Sequence, residues 1–362
     1  MLTVKNMRAL AAAALVSVCV PGIALSTTAQ ALPARKAVVV PCGDVTGLIA
    51  RITAANAVGG GSILLAPGCT YALNAPTGTD TNGANGLPVI SGRVTLIGRG
   101  ATISRTGTAA FRVAEVAAQG SLTLNGITVS GGSATEGSGT AGGGILTAGT
   151  LVLVNSRITH NTASGAGGGI AVASGATATL SASTVSDNSG GDGGGVHVGD
   201  SARLTMAGGA VKRNKAVFTG GGLNTFGTAV LNGTAVTSNS TQNFEGGGVF
   251  TAFGTLTVNG GRVTENEAAS SGGGIANHGS QVRLLAVYTA SNRAGLDGGG
   301  LYQLAGSSSL VGGVVTGNQA GGAGGGVFRV VTSGPVRLLG AFVLGNQPDN
   351  CAPAGAVLGC PA

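Results

Sequence analysis

From about residue 60 onward the chain is written in short runs where apolar and polar positions alternate with period two, as in Leu151-Val152-Leu153 and Leu256-Thr257-Val258. Such runs predict strands with one buried face. A helical spacing occurs once beyond the N-terminus. Across Asp44–Ala57, Val45, Leu48, Ile49, Ile52 and Ala55 fall on one face, and Asp44 stands where it can cap the first turn. The N-terminus follows a different rule. Lys5 and Arg8 precede an apolar run from Ala9 to Val20, then the small-x-small triad Ala29-Gln30-Ala31. This predicts a signal peptide over residues 1–31 and hence export. The run is too short to be a membrane span, and no other stretch of the chain has the length and apolarity for one.

The strand runs repeat. Three glycines followed by an aliphatic residue occur eight times, from Gly142–Ile145 to Gly324–Val327, at spacings of 25 to 27 residues. A column of asparagines keeps step: Asn161, Asn188, Asn214, Asn239, Asn266, Asn292, Asn318 and Asn346. Eight residues before each stands an apolar residue (Leu153 in the first unit, Leu338 in the last), and three before stands another, Val343 in the last unit, with Thr289 the one exception. Three short strands per unit, without hairpin turns, predict one coil of a solenoid whose coils stack at the ordinary strand spacing of ~4.8 Å. The expected fold is all-β, a right-handed parallel β-helix of about ten coils with a short N-terminal capping helix. Glycine is suited to tight corners, and asparagine both tolerates left-handed backbone and forms amide ladders. The expected organisation is a signal peptide (1–31), an N-terminal cap with the helix (32–61), the β-helix (62–347) and a closing tail (348–362). Within the β-helix, the polar stretch Thr77–Gly86 reads as a side loop.

Composition sharpens this. Glycine supplies 70 of 362 residues, but 43% are hydrophobic, so the glycines punctuate a packed structure rather than a disordered one. The formal charge is +7, and loss of the leader would leave +5, a mild bias that solubility explains. Four cysteines lie beyond the leader, and four allow three pairings. The near pairs Cys42–Cys69 and Cys351–Cys360 lie at opposite ends of the chain. In an extracytoplasmic setting they are expected as two disulfides, one per terminus. Neither pair has the spacing of a zinc site.

The repeats resemble those of the pectin-lyase-like superfamily of right-handed β-helices. More narrowly, the Gly-Gly-Gly-aliphatic and Asn columns are similar to the repeats of polymorphic outer membrane proteins, and Phe342-Val343-Leu344-Gly345-Asn346 is near their second motif with one residue too many. The resemblance covers about residues 40–350 and implies the fold. It does not imply one activity, because that superfamily holds lyases, hydrolases, esterases and adhesins. Its hydrolases carry paired aspartates and its pectate lyases an acidic cluster with nearby arginines; both signatures are missing from this sequence.

Candidate chemistry must therefore come from columns. The position before each asparagine stacks His160, Asp187 and Arg213 on successive coils, either a small polar site or a solvated corner of opposite charges. The position before each triplet holds Asp192, Glu245 and Asp297 on alternate coils, near the separation of an inverting carboxylate pair. Two positions after the third glycine stand Phe250, Tyr302 and Phe328, an outward aromatic strip of the kind that stacks on sugar rings, unless a neighbouring loop covers it. His160, Asp187, Arg213 and Glu245 are the catalytic candidates, and Phe250, Tyr302 and Phe328 the binding candidates. No phosphate-loop, nucleophile-elbow, zinc or nucleic-acid motif occurs, so no cofactor or metal is expected. The expected function is a secreted, non-catalytic scaffold binding polysaccharide or another cell-surface component. The alternative is a polysaccharide lyase or glycoside hydrolase of the β-helix type. The sequence carries no signal for an oligomeric state.

Overall fold

A computed structural model describes residues 39–135 and 141–360. The expected signal peptide lies outside them. The described residues belong to one unit, an all-β parallel solenoid of about 12 turns with a single helix among them. Successive coils pair in parallel and in register, so that Thr147, Val172, Val198 and Thr225 stand on one line, as do Leu153, Leu180, Met206 and Leu231. A repeat contributes three strands to the main sheet, one after the glycine triplet (Val196–Val198), a middle strand (Arg203–Ala207) and a third (Ala210–Lys212), and in two repeats the first two run together, as Ile275–Leu285 and Leu301–Val311. A two-residue strand after the asparagine (Lys215–Ala216) builds a separate eight-stranded column. Within this coil Val196, Val198, Leu204, Met206 and Val211 are fully buried, each such side chain contributing about 1.5–3 kcal/mol.

The two recurring residue types divide the work of the corner between them. Asn188 Nδ2 donates to Asn214 Oδ1 on the next coil at 3.0 Å and to the Ile158 carbonyl at 3.0 Å, while its backbone N–H reaches the same Asn214 Oδ1 at 3.0 Å. Its own Oδ1 accepts from the Asn161 backbone and amide at 3.0 and 2.9 Å. This pattern runs without a break from Asn161 to Asn346. It begins with the Gly132 N–H and ends on Asn350 Oδ1, supplied by the tail. The left-handed backbone expected of the asparagines sits one residue earlier. His160, Asp187, Arg213, Ser238, Glu265 and Ser291 all have φ between 52° and 58°. The asparagines are buried and act through their amides.

The three glycines of a triplet are required for different reasons. The first turns the corner at positive φ, 62° at Gly193. A Cβ on the second, Gly194, would lie 2.2 Å from the Lys215 carbonyl oxygen of the next coil. On the third, Gly195, it would lie 2.6 Å from the Gly222 carbonyl oxygen and 2.8 Å from the Asn214 amide nitrogen.

The ends are closed as follows. The helix spans Val45–Ala57, and Asp44 Oδ1 accepts from the Gly47 N–H at 2.8 Å. Leu48, Ile52 and Ala55 are buried. Ile49 instead faces a cleft of about 340 Å³ between the helix and the segment Thr77–Val89. That segment, expected as a plain side loop, holds a small antiparallel hairpin, Gly78–Asp80 with Gly83–Asn85. It is tied down by buried Arg112, whose Nη1 is 2.5 Å from Glu115 Oε2, and by Asn82 Nδ2 donating to Glu115 Oε1 at 2.7 Å. Both disulfides form, Cys42–Cys69 and Cys351–Cys360. The tail does more than close the end: Cys351–Ala352 and Val357–Leu358 add one more strand to the triplet and middle columns.

Replacing Asn239 by Ala removes a ladder rung and leaves the Asn214 N–H and amide without their acceptor. Urea denaturation should show a loss of about 3 kcal/mol, whereas Asn232→Ala, on a half-buried outer position, should cost well under half as much.

Candidate functional site

The residues just before the triplets stack coil on coil, because each first-glycine N–H donates to the carbonyl of the corresponding residue one coil on, Gly220 to Glu245 and Gly272 to Asp297. This places Asp192, Thr219, Glu245, Ser271 and Asp297 along one edge of the outer surface. Glu245 and Asp297, two coils apart, are separated by about 10 Å of strand spacing. Most of this column's carboxylates are occupied by the backbone. Asp192 Oδ1 accepts from the Thr219 N–H at 3.1 Å and its hydroxyl at 2.6 Å, and Asp297 Oδ1 accepts from the Ala323 N–H at 2.8 Å. The tail repeats the device, with Asp349 Oδ1 accepting from the Gly324 N–H at 2.9 Å. Glu245 differs, because its carboxylate reaches the His278 imidazole Nε2.

His278 belongs to a row of rings on the outer side of the triplet strands. Phe250, Tyr302 and Phe328 are on one register line with His197, Asn224 and Ala276. Phe226 and His278 intercalate from neighbouring positions. The row runs His197, Phe226, Phe250, His278, Tyr302, Phe328, with consecutive ring centroids 4.8–6.4 Å apart. It forms an apolar cluster separate from the solenoid core. The strip thus lies outside the core as expected, but its rings cover one another: Phe250 is 7% exposed and Tyr302 9%, while Phe226, His278 and Phe328 are partly open. Burial, reinforced by the carboxylates of Glu245 and Asp297, pushes the Tyr302 phenol above its ordinary pKa. Burial pushes the His197 imidazole below its ordinary value, against the pull of Asp192 and Asp200.

Rings open to solvent lie on the other side of the acidic column. Phe218 and Phe244 precede Thr219 and Glu245, are 44% and 52% exposed, and have centroids 6.1 Å apart. Sequence reasoning missed them, although a signal existed: both stand two residues before a triplet, Gly220 and Gly246.

The corner column is a different place. His160, Asp187 and Arg213 follow one another on the corner, and Arg213 grips Asp187 with Nε–Oδ1 at 2.7 Å and Nη2–Oδ2 at 2.9 Å. His160 Nδ1 is 3.0 Å from the Thr159 hydroxyl. The Arg213 hydrogen bonds, helped by the charge of Arg213 and opposed by partial burial, hold the Asp187 carboxyl below the usual carboxylate range. Asp187 is therefore a poor proton acceptor, and its pair lies open on the surface. Glu245 is not brought together with these three. Among the described residues no three His, Cys, Asp or Glu side chains converge to hold a metal, and no helix is long and apolar enough to cross a membrane. Comparison with family models, curated proteins and solved structures found no match.

Because the folded-state pKa of Asp187 is depressed, the pair's stabilisation is present above the ordinary carboxylate range and is lost as pH falls through the depressed value. Arg213→Ala should lower thermal stability slightly at neutral pH, and the difference from the parent protein should disappear in acid. A difference that persists unchanged in acid would refute this assignment.

Proposed function

We propose that this chain is an exported, right-handed β-helix of the pectin-lyase-like kind that serves as a non-catalytic scaffold and binds an extracellular polysaccharide along its outer surface. The observation that carries this reading is the exposed Phe218–Phe244 pair beside the column of Asp192, Glu245 and Asp297. Aromatic faces stack on the apolar faces of sugar rings, and neighbouring carboxylates accept from sugar hydroxyls. The leader over residues 1–31 and the two disulfides suit an oxidising, extracellular location. Residue candidates for catalysis are dispersed: Asp187 is neutralised by Arg213, while Asp192 and Asp297 hold backbone N–H groups. Regular coils with short connections offer a rigid, repetitive face rather than a cleft built from long loops.

One observation favours the enzyme reading. Glu245 orients His278 in a partly buried, ring-lined setting, and a carboxylate–imidazole pair is a common general base. For a lyase such a base would need a cation beside the uronate carboxylate, yet Arg329, two coils on along the triplet strands, is committed to the carbonyls of Gly334, Ala356 and Ser333.

Affinity electrophoresis of the protein through gels containing neutral polysaccharides tests the binding reading. Phe218→Ala/Phe244→Ala should weaken retention by about tenfold, with no new reducing ends from the parent protein. Reducing ends that appear with the parent protein and vanish in Glu245→Gln would instead establish the enzyme.

A further inference from the structure

The solenoid changes character in its last three coils, at the corner where the middle strand gives way to the third. Leu285, Val311 and Leu339 end their strands on one register line, and Tyr288, Val314 and Phe342 begin theirs on another. In earlier coils these lines carry Ser181, Asn232 and Asn259, and Thr184, Ala235 and Arg262. The core does not need the apolar additions, because the inward neighbours Leu310, Val315, Leu338 and Val343 already fill it. Leu285, Tyr288, Leu339, Phe342 and Leu344 are all exposed, Phe342 the most at 65%. Together they present on the order of 500 Å² of apolar surface, the upper end for a monomer. Between the two lines the backbone bends at left-handed Ala286, Gly312 and Gly340, so the apolar rows wrap a corner and form a ridge. Arginines flank it. Arg283 and Arg337 stand two residues before Leu285 and Leu339 on the same outer face, and Arg262 heads the Tyr288 line. All three are exposed, and none has a hydrogen-bond or ion-pair partner among the described residues.

We propose that this ridge docks the solenoid on an anionic lipid surface, lying in the interface without spanning the bilayer. Two properties of the partner follow from the residues. A ridge of Leu, Val, Phe and Tyr needs a soft apolar layer to sink into, and the boundary between headgroups and acyl chains is one. Tyr288 suits that depth, since its ring is apolar and its hydroxyl reaches the wet side. Three unpaired guanidiniums around an apolar centre, with no carboxylate on any of these lines, call for negative charge at the rim. Lipid phosphates supply it, and each basic side chain near such a surface adds to the attraction. A second copy of the chain fits less well. A two-fold contact centred on the ridge would set uncompensated arginines of one copy against those of the other. This surface is independent of the Phe218–Phe244 pair, and either can fail without the other.

The test is flotation with vesicles of phosphatidylcholine, alone or mixed with phosphatidylglycerol. It uses the chain lacking residues 1–31, whose apolar run would bind lipid by itself, and keeps the whole described unit. The protein should float with the mixed vesicles, and less so in high salt. Phe342→Ser/Leu344→Ser should weaken binding by about tenfold or more, and Arg262→Gln/Arg337→Gln by about tenfold at low salt. The charge-matched control Arg157→Gln/Arg203→Gln, on earlier coils, should stay within about twofold of the parent. Circular dichroism should show every variant folded. The chain has no Trp, so Phe342→Trp adds a single reporter whose emission should shift to the blue on mixed vesicles. Phe253→Trp, at an exposed position on another corner, should not shift. No flotation with the mixed vesicles, equal losses in the two arginine variants, or equal shifts of the two reporters would overturn the proposal. So would a dimer in sedimentation equilibrium that Phe342→Ser/Leu344→Ser dissociates, which would give the ridge to a second copy.

Discussion

From Asn161 to Asn346, each coil of this solenoid depends on the buried amide of its asparagine. The corner there forces a non-glycine residue into left-handed backbone, a conformation that costs of order 1–2 kcal/mol, and it does so in six consecutive coils from His160 to Ser291. The amide that follows offsets this by bonding to the coil before and the coil after, four hydrogen bonds at about 3 Å for Asn188. Because each rung accepts from the one before it, the ladder keeps the coils in register. A change in coil length from 25 to 27 residues is absorbed elsewhere, in the connections.

Register is what turns sequence columns into surfaces. Once the asparagines are aligned, a residue two before each triplet meets its counterpart ~4.8 Å away, and Phe218 finds Phe244. The same alignment carries Arg283 to within two steps of Arg337, and sets His160 beside Asp187 and Asp187 beside Arg213. A solenoid of this kind builds its recognition faces by repetition and small substitutions along a line, with no need for long loops. Its N-terminal coils break the rule, and there the buried Arg112–Glu115 pair and the Gly78–Asn85 hairpin take over the role of holding a side segment in place.

Much of this was legible in the chain. The repeat length, the three inward columns, the helix cap at Asp44 and the disulfide pairs all follow from period-two alternation, spacing and cysteine position, which are local properties. The candidate site was legible only by column. Phe250, Tyr302 and Phe328 share a register line as their spacing implies, but the intercalation of Phe226 and His278, which covers Phe250 and Tyr302, depends on positions outside that column. Glu245 meeting His278, 33 residues on, likewise had no counterpart in the spacing.

By itself, then, the sequence determined the coil: which residues turn inward, where the chain bends, and which columns stack, because a strand's faces and a repeat's period are written in consecutive residues. Only the tertiary structure decided which residue of the corner is left-handed, that the tail continues two columns and ends the amide ladder with Asn350, which rings stay open, and which charges find partners. Those outcomes depend on how side chains from adjacent coils share the space between them, and packing across coils is not encoded in any one of them.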